Sequence, residues 1–217
     1  MSQFPLPDVP KLLVVGSGGI KERFISLMSG CKIEAADLGW GHDGVRRGEF
    51  DAIVLIAERP VPSLEVMLDD ICARTGTVWT SAVVLAQQFR IGPTVIPGQT
   101  PCHECWSRRL RSKMSDPNLH DAIMSAGQQL EPERWFKGRL PALDDQVAAL
   151  AAAETLAVVT GSYDAPPNQM GRFWLGNAIY GHLEAHHFAG IGVCARCAPA
   201  NVGDELATFV SERFTSV

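Results

Sequence analysis

The chain has 217 residues, six of them cysteine, and a formal charge of −5, which is length enough to bury a core without covalent staples. A hydrophobic fraction of 46% against 20% charged excludes wholesale disorder, and the acidic balance argues against a general nucleic-acid binder, which carries a basic stripe. No apolar run approaches the ~20 residues of a membrane-spanning helix, and the N-terminal stretch MSQFPLPDVPK lacks the basic-then-apolar order of a signal peptide, so a cytoplasmic protein without membrane partners is expected.

Lys11–Val15 (KLLVV) reads as a short buried strand and runs into Gly16-Ser17-Gly18-Gly19. Apolar residues at Ile20, Phe24, Leu27 and Met28 then follow helical spacing, closed at Gly30. A second strand is expected over Lys32–Ala36. The third, Asp51–Ala57 (DAIVLIA), has the continuous apolar character of a central parallel strand covered on both faces. Pro62 and Ser63 open a helix that runs through Cys72, and Thr77–Thr80 begins another strand. This alternation indicates a doubly wound α/β sheet.

Near residue 90 the rhythm changes. Phe89–Gly98 is extended, punctuated by Pro and Gly, and delivers the chain to Cys102-His103-Glu104-Cys105. Residues 107–140 are polar, with Pro117, Pro132 and Pro141 as breakers, and short helices within irregular structure are expected there. Ala142–Thr160 is a strong helix, with Asp144 and Asp145 near its positive end and Gly161 as its stop. Arg172–His187 reads as late strands leading into Cys194-Ala195-Arg196-Cys197, a pair bounded by Pro199 as the first is by Pro101.

Thiols of a cytoplasmic protein stay reduced, so two Cys-x-x-Cys turns are expected to hold a metal and not to form disulfides. Cys102, Cys105, Cys194 and Cys197 supply the four thiolates of a tetrahedral Zn2+ site with no open position, which makes the site structural. His103, His186 and His187 are the competing ligands nearby. Cys31 and Cys72 stand in apolar surroundings and read as inert thiols, so no catalytic residue is assigned.

Gly16, Gly18 and Gly19 lie where backbone amides could cradle a phosphate, with Asp37 at the distance of a ribose contact. Lys21 stands where a third glycine would ease helix packing, and a Gly-rich turn is also simply a tight way to join strand to helix. His42 with Asp43 reads as a solvated loop pair in preference to an acid–base pair. Arg108, Arg109, Arg111 and Lys113 form the one local basic patch, either a solvated face or a docking edge for an acidic partner. Among five tryptophans, Trp106 and Trp135 are candidate interface anchors.

The order of strand, Gly-x-Gly-Gly and helix, then Ile91-Gly-Pro-Thr-Val-Ile-Pro-Gly-Gln-Thr-Pro-Cys-His-Glu-Cys105, an alanine-rich helix and Cys194-Ala-Arg-Cys197, resembles the E1-like (ThiF-like) superfamily over residues 10–200. Within it the pattern is most similar to the partner proteins of YcaO-type peptide cyclodehydratases, which make azole-containing peptides related to microcins. The resemblance implies a single E1-like domain over 1–217, with a Rossmann-like half (1–90) and a zinc-binding half (91–217). It also implies a non-catalytic subunit, homodimeric within a larger complex, that binds a ribosomal precursor through its leader and presents it to the YcaO enzyme. That enzyme uses ATP to activate the peptide amide and forms thiazoline and oxazoline rings.

Two departures sharpen the expectation. Adenylating members use an Asp pair and an arginine to hold ATP, but here Asp51–Ala57 ends in Glu58-Arg59-Pro60, and Asp37 is followed by Leu-Gly-Trp-Gly-His. Without those groups a reacting phosphate is not neutralised, and the glycine loop is read as vestigial. Many members also begin with a peptide-recognition domain, whereas the first strand here starts at Lys11; leader recognition would then fall to a separate protein or to the partner enzyme. The alternatives are an adenylyltransferase for sulfur-carrier or peptide C-termini, and a zinc-stabilised interaction module with no role in peptide modification.

Overall fold

The computed structural model describes residues 9–40, 45–129, 141–163 and 170–197. His42, Asp43, Pro132, Trp135 and Pro199 lie outside the described residues. In chain order the elements are β1 (Lys11–Gly16), α1 (Gly19–Leu27), β2 (Lys32–Ala36), β3 (Ala52–Ala57), α2 (Pro62–Thr75), β4 (Val78–Leu85), β5 (Gln88–Ile91), α3 (His103–Arg111), α4 (Pro117–Gln129), α5 (Pro141–Val159), β6 (Gly171–Asn177) and β7 (His182–Phe188). The strands form one sheet in the order β2-β1-β3-β4-β5-β6-β7.

The first four strands are parallel, as the alternation of strands and helices requires. The sheet then turns antiparallel through β5, β6 and β7, a change of direction that the sequence pattern left open. The reversal is made at Ala86-Gln87, a two-residue turn between paired Leu85 and Gln88, with Ala86 at φ 58°.

Side chains of the parallel strands alternate between two cores. Leu12, Val14, Ala52, Val54, Ile56, Ala82 and Val84 face α1 and α5, where Ile20, Phe24 and Met28 meet Val147, Ala148, Ala151 and Ala152. Leu13, Val15, Ile53, Leu55, Trp79 and Val83 face α2 through Leu68, Ile71 and Cys72. Because both faces are covered, β3 is buried throughout. A third, smaller cluster of Cys102, Cys105, Trp106, Phe173, Phe188 and Cys194 lies under the antiparallel strands.

This packing corrects one expectation and redirects another. Trp106 is only 8% exposed, inside the third cluster, so it is not a surface anchor. Buried alanines of α5 face α1 and the sheet of their own chain. Their small side chains therefore serve an internal contact, and a second copy would have to use another surface. Among the described residues no helix is long and apolar enough to cross a membrane.

Candidate metal centre

The chain reaches the first Cys pair from β5 by an antiparallel bridge between Val95 and Trp79, which pins it against β4. Cys102 then takes the N-cap position of α3, and Cys105 follows one turn later. The first pair therefore opens a helix, and the i, i+3 spacing brings both sulfurs to one face. The second pair follows β7 in a turn where the Cys194 N–H donates to the Ile191 carbonyl at 2.9 Å. The Ile191 N–H in turn donates to Cys105 Sγ at 3.3 Å, so backbone of the second turn already contacts a sulfur of the first.

Residues 92 apart in the chain thereby meet. Cys102 Sγ lies 3.6 Å from Cys194 Sγ, Cys105 Sγ lies 3.4 Å from Cys197 Sγ, and all four sulfurs are within 4.8 Å of one another. A disulfide holds its sulfurs ~2.05 Å apart, and the four cysteines are free. A tetrahedral ion with bonds near 2.3 Å separates its sulfurs by about 3.8 Å, which is close to the spacing seen. Four soft donors gathered around one centre fit a closed metal site.

Proximity already redistributes the protons. The Cys102 thiol is lowered to about 6, chiefly by its hydrogen bond with Cys197 against the cost of burial. Cys197 is pushed up by that same contact, and burial pushes Cys105 up to about 11. Such sharing is expected of thiols gathered tightly enough to bind one ion.

None of the histidines that compete as ligands by their place in the chain joins the four-sulfur cluster among the described residues. His103 is buried between the rings of Trp79 and Trp106, with centroids 5.6 and 5.0 Å away, and burial lowers its pKa. His186 stacks on Phe173 at 5.2 Å and lies 3.5 Å from Glu184. Near the centre the Arg90 guanidinium covers the Trp106 ring at 4.1 Å and pairs with buried Glu65.

Asp69 of α2 is 1% exposed and was not singled out by the sequence. Its Oδ1 accepts the His103 backbone N–H at 3.1 Å and the Trp79 indole N–H at 3.2 Å, while Oδ2 accepts Arg196 Nη1 at 2.5 Å. The signal was available in the spacing: Glu65 and Asp69 share the face of α2 that carries Leu68 and Cys72 into the core.

The glycine loop is filled by the chain itself. β1 and β3 are neighbours, so the end of β3 meets the loop after β1. The Glu58 carboxylate sits against Gly18, where any Cβ would strike it, and accepts the Ile20 N–H at 3.3 Å. A phosphate at the start of α1 would need that N–H and would face a negative charge there. Lys21 Nζ bridges the carbonyls of Gly16 and Ala36 at 2.8 and 2.7 Å, across the ends of β1 and β2, and lies 3.7 Å from the exposed Asp37 carboxylate.

The basic run is partly committed within the chain. Arg108 pairs with Glu104 at 2.5 Å, Arg111 pairs with Asp121, and Arg109 donates to the Gly190 carbonyl at 3.2 Å. Cys72 is fully buried, its thiol pushed up by burial and by Asp69, and Cys31 is raised by burial and by Asp51.

No family model and no curated protein sequence matches the chain. Solved structures do share its fold. The heterocyclase TruD superposes with a TM-score of 0.64 at 16% identity, covering 88% of this chain and 28% of TruD. The Escherichia coli microcin synthetase McbBCD complex gives 0.62 at 17% identity, covering 90% of this chain and 70% of the matched one. Escherichia coli MccB with ATP gives 0.61 at 14% identity, covering 87% and 66%. The chain thus spans little more than a quarter of the heterocyclase, and the likeness establishes a shared mixed α/β fold, in keeping with what the resemblance implied.

Proposed function

We propose that this chain is a non-catalytic, zinc-holding E1-like subunit that binds or presents a ribosomal precursor peptide to a YcaO-type cyclodehydratase. The observation that carries the reading is the joint state of its two candidate sites. The four cysteines converge at metal-binding distance, while Glu58 takes the position at the start of α1 that a phosphate would need. A chain that keeps the clamp and fills the cradle keeps the scaffold of the fold without its means of handling ATP. The likeness to a heterocyclase and to a microcin synthetase complex supports a place in peptide modification.

Cys102, Cys105, Cys194 and Cys197 would hold the zinc, and with no position left open it supplies no chemistry beyond closure. These residues join the start of α3 to the turn after β7, which fixes a long segment that would otherwise cost entropy to hold. The antiparallel strands β5–β7 and the exposed parts of α3 and α4 then offer surfaces for peptide and enzyme, with Arg108 and Lys113 as the cationic edge. Homodimerisation belongs to the same proposal and is tested by sedimentation at tens of micromolar.

A second reading, an ATP-using adenylyltransferase, is favoured by the likeness to MccB, which was solved with ATP. Pull-down with a YcaO-type enzyme and ATP–pyrophosphate exchange separate the two. The proposal expects capture of the enzyme and no exchange by the isolated chain. Exchange without partner would favour the second reading.

A further inference from the structure

We propose that Asp69 and Arg196 together set the metal affinity of the four-cysteine centre from outside it, as positioning residues that hold both Cys pairs in one arrangement. The inference rests on reading those cysteines as a metal site.

A carboxylate as buried as Asp69 is costly unless its charge and lone pairs are matched. Its donors come from three separate places: the Trp79 indole on β4, the His103 backbone N–H in the first turn of α3, and the Arg196 guanidinium in the second Cys turn. His103 directly follows Cys102, and Arg196 directly precedes Cys197. One side chain therefore ties a neighbour of a ligand in each pair to the same helix.

The Cys102 side chain makes no capping bond to α3. Asp69 satisfies one of the orphan N–H groups at that helix start and places negative charge at its positive end, leaving the Cys102 sulfur free for a metal. Arg196 is fixed a second time, since its Nη2 lies 2.5 Å from Asp70 Oδ1. Four thiolates around a divalent ion leave a net negative charge, and the guanidinium between Cys194 and Cys197 is held beside it. Packing alone does not require this arrangement, because a buried ion pair is commonly no more stabilising than apolar residues of equal volume. Orientation of ligand-bearing backbone does require it, and outer groups of this kind change metal affinity about 10- to 100-fold.

The test uses the whole chain loaded with zinc or cobalt and titrated with a chromogenic chelator, alongside melting of the metal-free protein. Arg196→Gln and Asp69→Asn should each weaken metal retention about 10- to 100-fold. Asp69→Asn keeps an oxygen for the two N–H donors but turns an amide toward Arg196, so the double variant should lose little more than either single one. Arg196→Lys should recover part of the loss. The cobalt absorption bands should shift in Arg196→Gln, a change in the metal site beyond the fall in metal-free melting temperature that stranding the buried Asp69 charge brings. Should Asp69→Asn fail to fold, Arg196→Gln alone decides. Parent-like retention and spectrum in Arg196→Gln, or a fall confined to metal-free stability, would overturn the proposal. A parent that takes up neither zinc nor cobalt would overturn the metal reading itself.

Discussion

Glu65 and Asp69 lie one turn apart on the buried side of α2 and carry two charges into positions where leucine would pack as well. Glu65 is matched by Arg90, itself buried against Trp106. Removing one partner strands the other charge, so Arg90→Met should cost about 3–5 kcal/mol in urea unfolding, whereas the joint change Glu65→Met with Arg90→Met should recover much of that loss. The cysteines make a separate prediction. With metal bound, only half-buried Cys31 should react with iodoacetamide. Its thiol is raised above the usual value by burial and by Asp51, and the thiolate is the reactive form. Its rate should therefore keep climbing as pH rises beyond about 9. Chelation should add the four clustered thiols, and Cys72 should join only on denaturation. Early labelling of Cys72, or four reactive clustered thiols before chelation, would contradict this placement. The four cysteines were legible because their spacing alone states their chemistry. Glu58 and Asp69 were not, since a charge gains its meaning only once topology brings β3 beside the loop after β1 and α2 beside the start of α3.

Elements were legible where periodicity is strong. β1, β3 and α2 fall within a few residues of expectation because their apolar patterns are dictated by burial on one or both faces, whereas β2 also falls where expected with no residue fully buried. The β4–β5 hairpin was harder to see, because its turn is Ala86-Gln87 and carries none of the Asn-Gly or Asp-Gly signal that positive φ favours. α3 was hidden for another reason: its first turn is the Cys-x-x-Cys pair, which reads first as a metal knuckle. At Gly16 a methyl would meet the backbone carbonyl of Ile56, which cannot swing away as a side chain can. Gly16→Ala should thus destabilise by about 1–3 kcal/mol in denaturant titration, and an unchanged midpoint would mean that β1 and β3 are less close than described. On α3, Arg108 is two-thirds exposed and pairs with Glu104 of its own helix. Arg108→Glu should leave stability within about 0.5 kcal/mol of the parent and weaken capture of the proposed YcaO-type partner most at low salt, the difference shrinking as salt rises. Parent-like capture would remove α3 as the docking edge.

At the scale of the molecule, the parallel half carries two cores of its own, while the antiparallel half leans on a small cluster that includes three of the four converging cysteines. Stability should therefore divide. Chelation should lower the melting temperature and raise hydrogen exchange in α3, β6 and β7 while β1 and β3 stay protected; uniform exchange across the sheet would argue against a local clamp. The parallel half was readable from strand and helix alternation and the antiparallel half was not, while the proposed function calls for a partner enzyme. The most direct test supplies that partner. A YcaO-type enzyme, ATP and a precursor peptide are combined with and without this chain, and the peptide is followed by mass spectrometry. The precursor should lose water when both proteins are present, and little or none when either is omitted. Water loss at an equal rate without this chain would refute a presenting role.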